Sequence, residues 1–431
     1  MLKTIRRILG KTNNVTRSAY VWNAVNAMIS ALESPVILMV MTRTNGMYDA
    51  GVFSISFAIA GLMLYVGLYG LRRFQSSDIN EKYSFGDYHG MRIVSCGAML
   101  IASISYCAYG VLFNDYNMEK VMIIYLICIV RCVQAYSDVY HGRMQQKGRL
   151  DVATKASAVR YAAEIVVYCV MLIITKNLIL STVAFALASL IVMFLTSINA
   201  AKDFCDYRPA FRKFQLKLLM IEGFPLFASL FLNMYISNAP KYAIDDYLTD
   251  DIQAVYNMVF MPTFMVMLVA NFIFNPILTI YAEMWFANTP GELKRLIKHI
   301  KRQILIVLGL TVAGLLVAAT IGIPLLSIIF GADLSSYKME LVIIMIGGGA
   351  LAYATFFSTV ITIIRMQHTL LICYGAVAIG AKLLSGLFVT NYGIMGAAAL
   401  YTTLMTILAV VLFIIMTVRI NKEKKILNDQ L

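Results

Sequence analysis

Apolar segments of about 20 residues recur along the whole chain, each long enough to cross the hydrocarbon of a bilayer as an α-helix. Few apolar stretches remain to build a water-soluble core. Of the 431 residues, 60% are hydrophobic and 14% charged, against roughly 25% charged in a soluble domain. The chain therefore reads as an all-α integral membrane protein. Twelve spans are expected, near 17–42, 50–71, 90–113, 119–142, 153–175, 177–200, 220–241, 252–283, 303–330, 339–365, 367–389 and 393–418. The basic first 17 residues run straight into a full-length span. They lack the short apolar core and small-residue cleavage site of a signal peptide, so no removable leader is expected.

The net charge of +13 follows the membrane rather than a nucleic acid partner. Lys and Arg collect in cytoplasmic loops of multi-pass proteins. With the N-terminus in the cytoplasm, 28 of the 36 Lys and Arg fall on that side. Arg43, Lys120, Lys176, Lys241 and Lys338 fall outside, and Arg131, Arg160 and Lys382 lie within spans. Both termini are then cytoplasmic. The basic stretch "AKDFCDYRPAFRKFQLKLL" (201–219) is patterned like an interfacial helix. It separates an N-terminal six-helix lobe, 1–200, from a C-terminal one, 220–431. "DAGVFSISFA" (49–58) and "IQAVYNMVFM" (252–261) echo each other at the start of spans two and eight. Spans one and seven both start in the cytoplasm, so the halves would be parallel repeats, an architecture found in transporters.

Enzyme chemistry is not visible. The GKT of "ILGKTNN" (8–14) has Ile5 where a P-loop needs glycine. No HExxH or CxxC occurs, and most of the seven cysteines lie inside apolar runs, which argues against a disulfide framework or zinc site. No outer loop is long enough to build an active site. No catalytic residue, metal site or cofactor is expected.

Charges inside spans carry more information, because each is costly in hydrocarbon and usually faces a cavity. Glu33 lies in span one and Arg131 near the middle of span four. Asp138, seven residues on, shares the face of Arg131 and could neutralise it in part. Arg160 and Glu164 are spaced i, i+4 in span five, so they either neutralise each other or serve a cavity. Lys382 has no acid within a turn or two of its own helix. Arg131, Arg160 and Lys382 are the candidate cationic residues, and Glu33 and Glu164 possible coupling sites or charge partners. Asn23, Asn26, Asn271 and Asn275 sit at helix-face spacing, suited to interhelical hydrogen bonds or to substrate. Gly223 and Pro225 predict a flexible point in span seven. "PKYAIDDYLTDD" (240–251) lacks the spacing of a calcium loop. It reads as the outer turn between spans seven and eight, where Lys241 could pair with Asp245 or Asp246 to help close an outer gate.

These residues resemble a known family. Twelve spans in two parallel sixes look like the polysaccharide flippases of the multidrug/oligosaccharidyl-lipid/polysaccharide (MOP) exporter superfamily, above all the Wzx-type O-antigen and capsule translocases. "NAPKYAIDDYLTDDIQAVYNMVF" (238–260) is similar to their segment from span seven to span eight, through Lys241, Tyr242, Ala254, Val255 and Tyr256. "LLSIIFGADLSSY" (325–337) resembles the end of their span nine, and "YGIMGAAAL" (392–400) the start of span twelve. Lysine stands at 241 where arginine is commoner, and Gln253 where many relatives carry glycine. The resemblance implies the MOP flippase fold in a bacterial inner (plasma) membrane. It implies a polyprenyl-pyrophosphate-linked oligosaccharide substrate moved from the inner to the outer leaflet by alternating access, for O-antigen, capsule or exopolysaccharide synthesis. Membrane lipid and other polysaccharide-assembly membrane proteins are the partners it suggests; nucleic acid is not. A cation-coupled small-molecule or drug antiporter of the same fold is the alternative, kept open by Glu33.

The charge bias predicts that 240–251 faces outward. A cysteine placed at position 250 of a variant lacking the native thiols should react with a membrane-impermeant reagent from outside the cell. Reaction only from the cytoplasmic side would overturn the topology.

Overall fold

The computed structural model describes residues 2–78, 81–205, 208–264, 266, 270, 278–287 and 289–429, and these are helical almost throughout. The helices are α1 (Leu2–Gly10), α2 (Val15–Thr44), α3 (Met47–Leu68), α4 (Leu71–Ser77), α5 (Phe85–Phe113), α6 (Met118–Gln146), α7 (Leu150–Thr175) and α8 (Leu178–Ala201). They continue with α9 (Lys213–Tyr247), α10 (Asp250–Phe260), α11 (Leu278–Phe286), α12 (Pro290–Phe330), α13 (Lys338–Ile363) and α14 (Gln367–Asp429).

Among the described residues, nine helices are long and apolar enough to cross a membrane. Three facts account for the difference from the expected twelve spans. α6 has the length, at 29 residues, but carries Arg131, Asp138 and Arg143 on its buried or half-buried side. α14 holds two spans joined at Gly393, whose φ of 56° and ψ of −134° break the helix in a region that favours glycine. Spans eleven and twelve therefore meet inside "YGIMGAAAL". Much of span eight, with Asn271 and Asn275, lies outside the described residues.

Helix ends follow local chemistry. Asn14, Asn117 and Asn177 accept hydrogen bonds from the N–H groups of Arg17, Lys120 and Leu180, and Ser84 forms a capping box with Asp87. α12 stops at Gly331, a left-handed residue whose N–H bonds the Ser327 carbonyl at 2.8 Å.

The chain divides into two compact units, Met1–Phe231 and Leu232–Leu431, the division falling within α9. In the first unit α2 packs on α7, α3 on α6 and α5, and α6 and α7 on α8. A cluster at one end of this unit joins Leu9 of α1 to Leu71, Tyr88, Tyr140, Ala156 and Leu219. In the second unit α13 is central, packing on α14, α12, α11 and α10.

The 201–219 stretch is not one interfacial helix. Residues 208–212 are not helical, because Pro209 lacks the N–H that a helix would use and disfavours helical geometry at Arg208. The segment lies on α5, with the Ala210 N–H bonded to the Gly86 carbonyl at 2.8 Å and Arg212 paired with Asp87. Gly90 allows the approach, since a Cβ there would collide with the Ala210 carbonyl. The amphipathic helix in the structure is α1 instead, which sequence pattern alone left as a basic lead-in.

Gly393→Ala should lower stability by about 1–3 kcal/mol, the cost of a side chain in a sparsely allowed backbone region. Gly375→Ala, in the same helix with open space around it, should be neutral or stabilise by about 0.5–1 kcal/mol. Thermal unfolding of the purified variants in detergent compares the two.

Candidate functional site

The first unit concentrates its span charges on α2, α6 and α7. Arg131 donates from Nη2 to Glu33 Oε2 at 3.0 Å and from Nη1 to Gln134 Oε1 at 2.9 Å. Its guanidinium lies over the Phe57 ring of α3, 4.3 Å from the centroid. Arg160 donates to Glu164 Oε1 at 2.6 Å and covers the Tyr161 ring at 4.4 Å. Both pairs are almost wholly buried, with side-chain exposures of 5%/2% and 1%/0%. They also act on each other, since Glu33 feels Arg160 and Glu164 as well as Arg131. The four groups form one charge-balanced cluster.

Arg131 and Arg160 are each compensated by their own carboxylate. Asp138 does not neutralise Arg131; it binds Arg72 at 3.1 Å and Arg92 at 2.9 Å. Arg160 and Glu164 do form the i, i+4 pair that their spacing allowed. Balance is not saturation, however. Glu33 Oε1, Glu164 Oε2, Arg160 Nε and Asn26 Oδ1 are buried with no hydrogen-bond partner among the described residues. Asn26 lies two turns before Glu33 on the same face of α2. Such groups are costly unless solvated or bound. The cluster can therefore accept a further proton, cation or donor at the carboxylates.

A second polar centre was counted from sequence only as loop charge. Arg92, fully buried, bridges the Asp138 carboxylate and the Gly67 carbonyl. Arg72 and Arg73 line a cavity of about 240 Å³ together with Asp138 and Gln145. Arg92 opens an apolar run, which makes it look like a flanking loop residue, and only the helix start at Phe85 places it a full two turns inside. Nearby, α9 is held to the first unit by Glu222, which takes Lys82 at 2.9 Å and the Tyr83 hydroxyl at 3.0 Å. Tyr69 stacks on Phe227 at 4.6 Å and donates to the Met220 carbonyl. Gly223 admits the Tyr69 ring.

In the second unit, "PKYAIDDYLTDD" is mostly helix. α9 continues through Pro240 to Tyr247, only Leu248 and Thr249 form the turn, and α10 starts at Asp250. A membrane helix tolerates such an internal proline. Asp250 and Asp251 occupy the first turn of α10, where negative charge is favourable. Lys241 is buried and lies over Phe260, 4.6 Å from the ring centroid, and more distantly over Phe264. It makes no ion pair with Asp245, which is half-buried, or with Asp246, which is exposed. Lys382 is exposed on α14, beside the exposed Ile379 and Leu383.

No family model matches the sequence, and no curated protein matches it. The fold, in contrast, matches solved structures along nearly its whole length. An inward-facing multidrug resistance MATE family transporter of the MOP superfamily superposes with a TM-score of 0.67 at 15% identity, covering 98% of each chain. The Vibrio cholerae MATE transporter VcmN in its bent form gives 0.58 at 13% identity, again over 98% of each chain. A MOP superfamily transporter from Pyrococcus furiosus, described as having a binding pocket of reversed polarity, gives 0.59 at 15% identity over 97% of this chain and 98% of its own. The chain has the all-helical fold of MATE/MOP transporters. At these identities the likeness is one of fold.

Removing one member of a buried ion pair leaves an unpaired charge and typically costs about 3–5 kcal/mol. Arg131→Met and Glu33→Met should each destabilise on that scale in detergent unfolding. The double variant should lose clearly less than the sum. An additive double variant would show that the two side chains do not depend on each other.

Proposed function

We propose that the protein is a membrane transporter, and specifically a flippase that moves a polyprenyl-pyrophosphate-linked oligosaccharide between leaflets by alternating access. The observation that carries this is the pair of guanidinium groups deep in helices of the first unit, each held by a single carboxylate. A pyrophosphate must cross ~30 Å of hydrocarbon. Arginine binds phosphate oxygens in the same two-pronged geometry it uses for carboxylates. A phosphate can therefore replace Glu33 or Glu164 at its arginine, most readily when that carboxylate has taken up a proton. Glu33 is then the coupling group. The charges facing it are Arg131 of α6 and Arg160 and Glu164 of α7, with the Tyr161 hydroxyl also near. Lys241 and Lys382 add cations in the second unit that no carboxylate neutralises among the described residues. The resemblance to Wzx-type translocases around residues 238–260 supports the same substrate and a bacterial inner membrane. The work is translocation, with no bond made or broken.

A cation-coupled antiporter of small molecules is the second reading. The unpartnered Glu33 Oε1 favours it, as does the description of several fold neighbours as multidrug transporters.

Export of lipid-linked oligosaccharide separates the two, measured at equal membrane levels of each variant. Arg131→Gln and Arg160→Gln should cut export tenfold or more, matching the loss of a charged hydrogen bond of about 1.5–3 kcal/mol. Lys382→Ala should reduce export more than Lys382→Arg. Oligosaccharide export that is the same with and without the protein, together with drug efflux that Glu33→Gln abolishes, would select the antiporter.

A further inference from the structure

α1 is both cationic and firmly docked. Ile5 and Leu9 pack into the apolar cluster of the first unit. Its polar groups are also tied down. Asn199 donates to the Leu2 carbonyl at 2.7 Å, and Arg149 to the Gly10 carbonyl at 2.8 Å. The buried Lys155 ammonium donates to the carbonyls of Leu9 and Lys11. Two cations thus close the carbonyl end of the helix, where they also complement its dipole.

This docking leaves the outer face of α1 fixed and strongly positive. Lys3 and Arg7, four positions apart on α1, share a face, and Lys11 follows just past the helix end; all three are exposed and line one surface, forming a basic row. None has an acidic partner among the described residues. The acid beside them, Asp203, is taken by Arg6 at 2.7 Å. The row borders a surface cavity of about 720 Å³ that Arg6, Gly10 and Asp203 complete. An exposed apolar side chain stands among the charges: Ile8 lines the same cavity and is 65% exposed. The chain enters the apolar span α2 four residues after Lys11, so the patch is set at headgroup depth, with cations for a phosphate and Ile8 for the glycerol and upper acyl region.

We propose that this face of α1 is a docking site for the headgroup of an anionic phospholipid of the cytoplasmic leaflet. Its ligand is a membrane phosphodiester, distinct from the transported substrate. A soluble acidic protein would not call for the exposed Ile8 among the charges, and a free phosphate would leave it bare.

Dihexanoyl-phosphatidylglycerol and dihexanoyl-phosphatidylcholine, titrated against the full-length protein in neutral detergent, test this through the shift in unfolding temperature. A basic residue near an anionic surface contributes about fivefold in affinity. Phosphatidylglycerol should therefore stabilise the protein at concentrations about tenfold or more below phosphatidylcholine. Lys3→Gln/Arg7→Gln/Lys11→Gln should remove most of that preference, while Lys298→Gln/Lys301→Gln/Arg302→Gln, exposed on α12, should keep it. Should the triple variant not fold, the single variants Lys3→Gln and Lys11→Gln should each lose part of the preference. Equal response to the two lipids, or full preference in the α1 variants, would overturn the proposal. An equal shift from inorganic phosphate alone would assign the site to a soluble anion and overturn it as well.

Discussion

The first unit depends on one physical constraint: a charge inside an apolar span must find its opposite. Glu33 on α2 and Arg131 on α6 are 98 positions apart and neither is tolerable alone. Their contact, with Arg160 and Glu164 of α7 alongside, ties three helices at one depth. Asp138, Arg72 and Arg92 repeat the device further along α6, linking it to α4 and α5. Apolar packing alone would let such helices slide or rotate against each other at small cost. Buried ion pairs with defined hydrogen bonds do not, because each wrong register leaves a charge unpaired in a medium that cannot solvate it.

The same pairing is balanced in charge but not saturated. Under the proposed function, a substrate phosphate or a proton would compete for a group already held by an ion pair, and the competition would couple occupancy to the contacts among α2, α6 and α7. Glu33 Oε1, Glu164 Oε2 and Arg160 Nε are buried without a hydrogen-bond partner among the described residues. α9 is anchored along its first turns, which are held by Tyr69, Lys82 and Tyr83 in the first unit, whereas its later residues belong to the second. The helix carries both attachments on one continuous backbone.

Much was legible in the sequence because the bilayer imposes simple rules. Repeated apolar lengths pointed to an all-helical, multi-pass chain. The expected end of span nine near 330 and start of span twelve near 393 fall at Gly331 and Gly393, both of positive φ. Arg160 and Glu164 could be paired by spacing alone, since both lie on one helix.

What the sequence could not decide was partnership across helices. Glu33 was equally open to a proton, a cation or any of three bases, and nothing local selects Arg131, because the choice is made by how α2 and α6 pack. For the same reason Asp138 went to Arg72 and Arg92, and Lys241 to aromatic faces instead of the nearby aspartates. The sequence by itself determined the class of chain and the spans that hold Glu33, Arg131, Arg160 and Glu164, since hydrophobic length and charge cost are local properties. Only the tertiary structure decided which charges are neutralised and which polar atoms are left to bind something else, because that depends on groups brought together from distant parts of the chain.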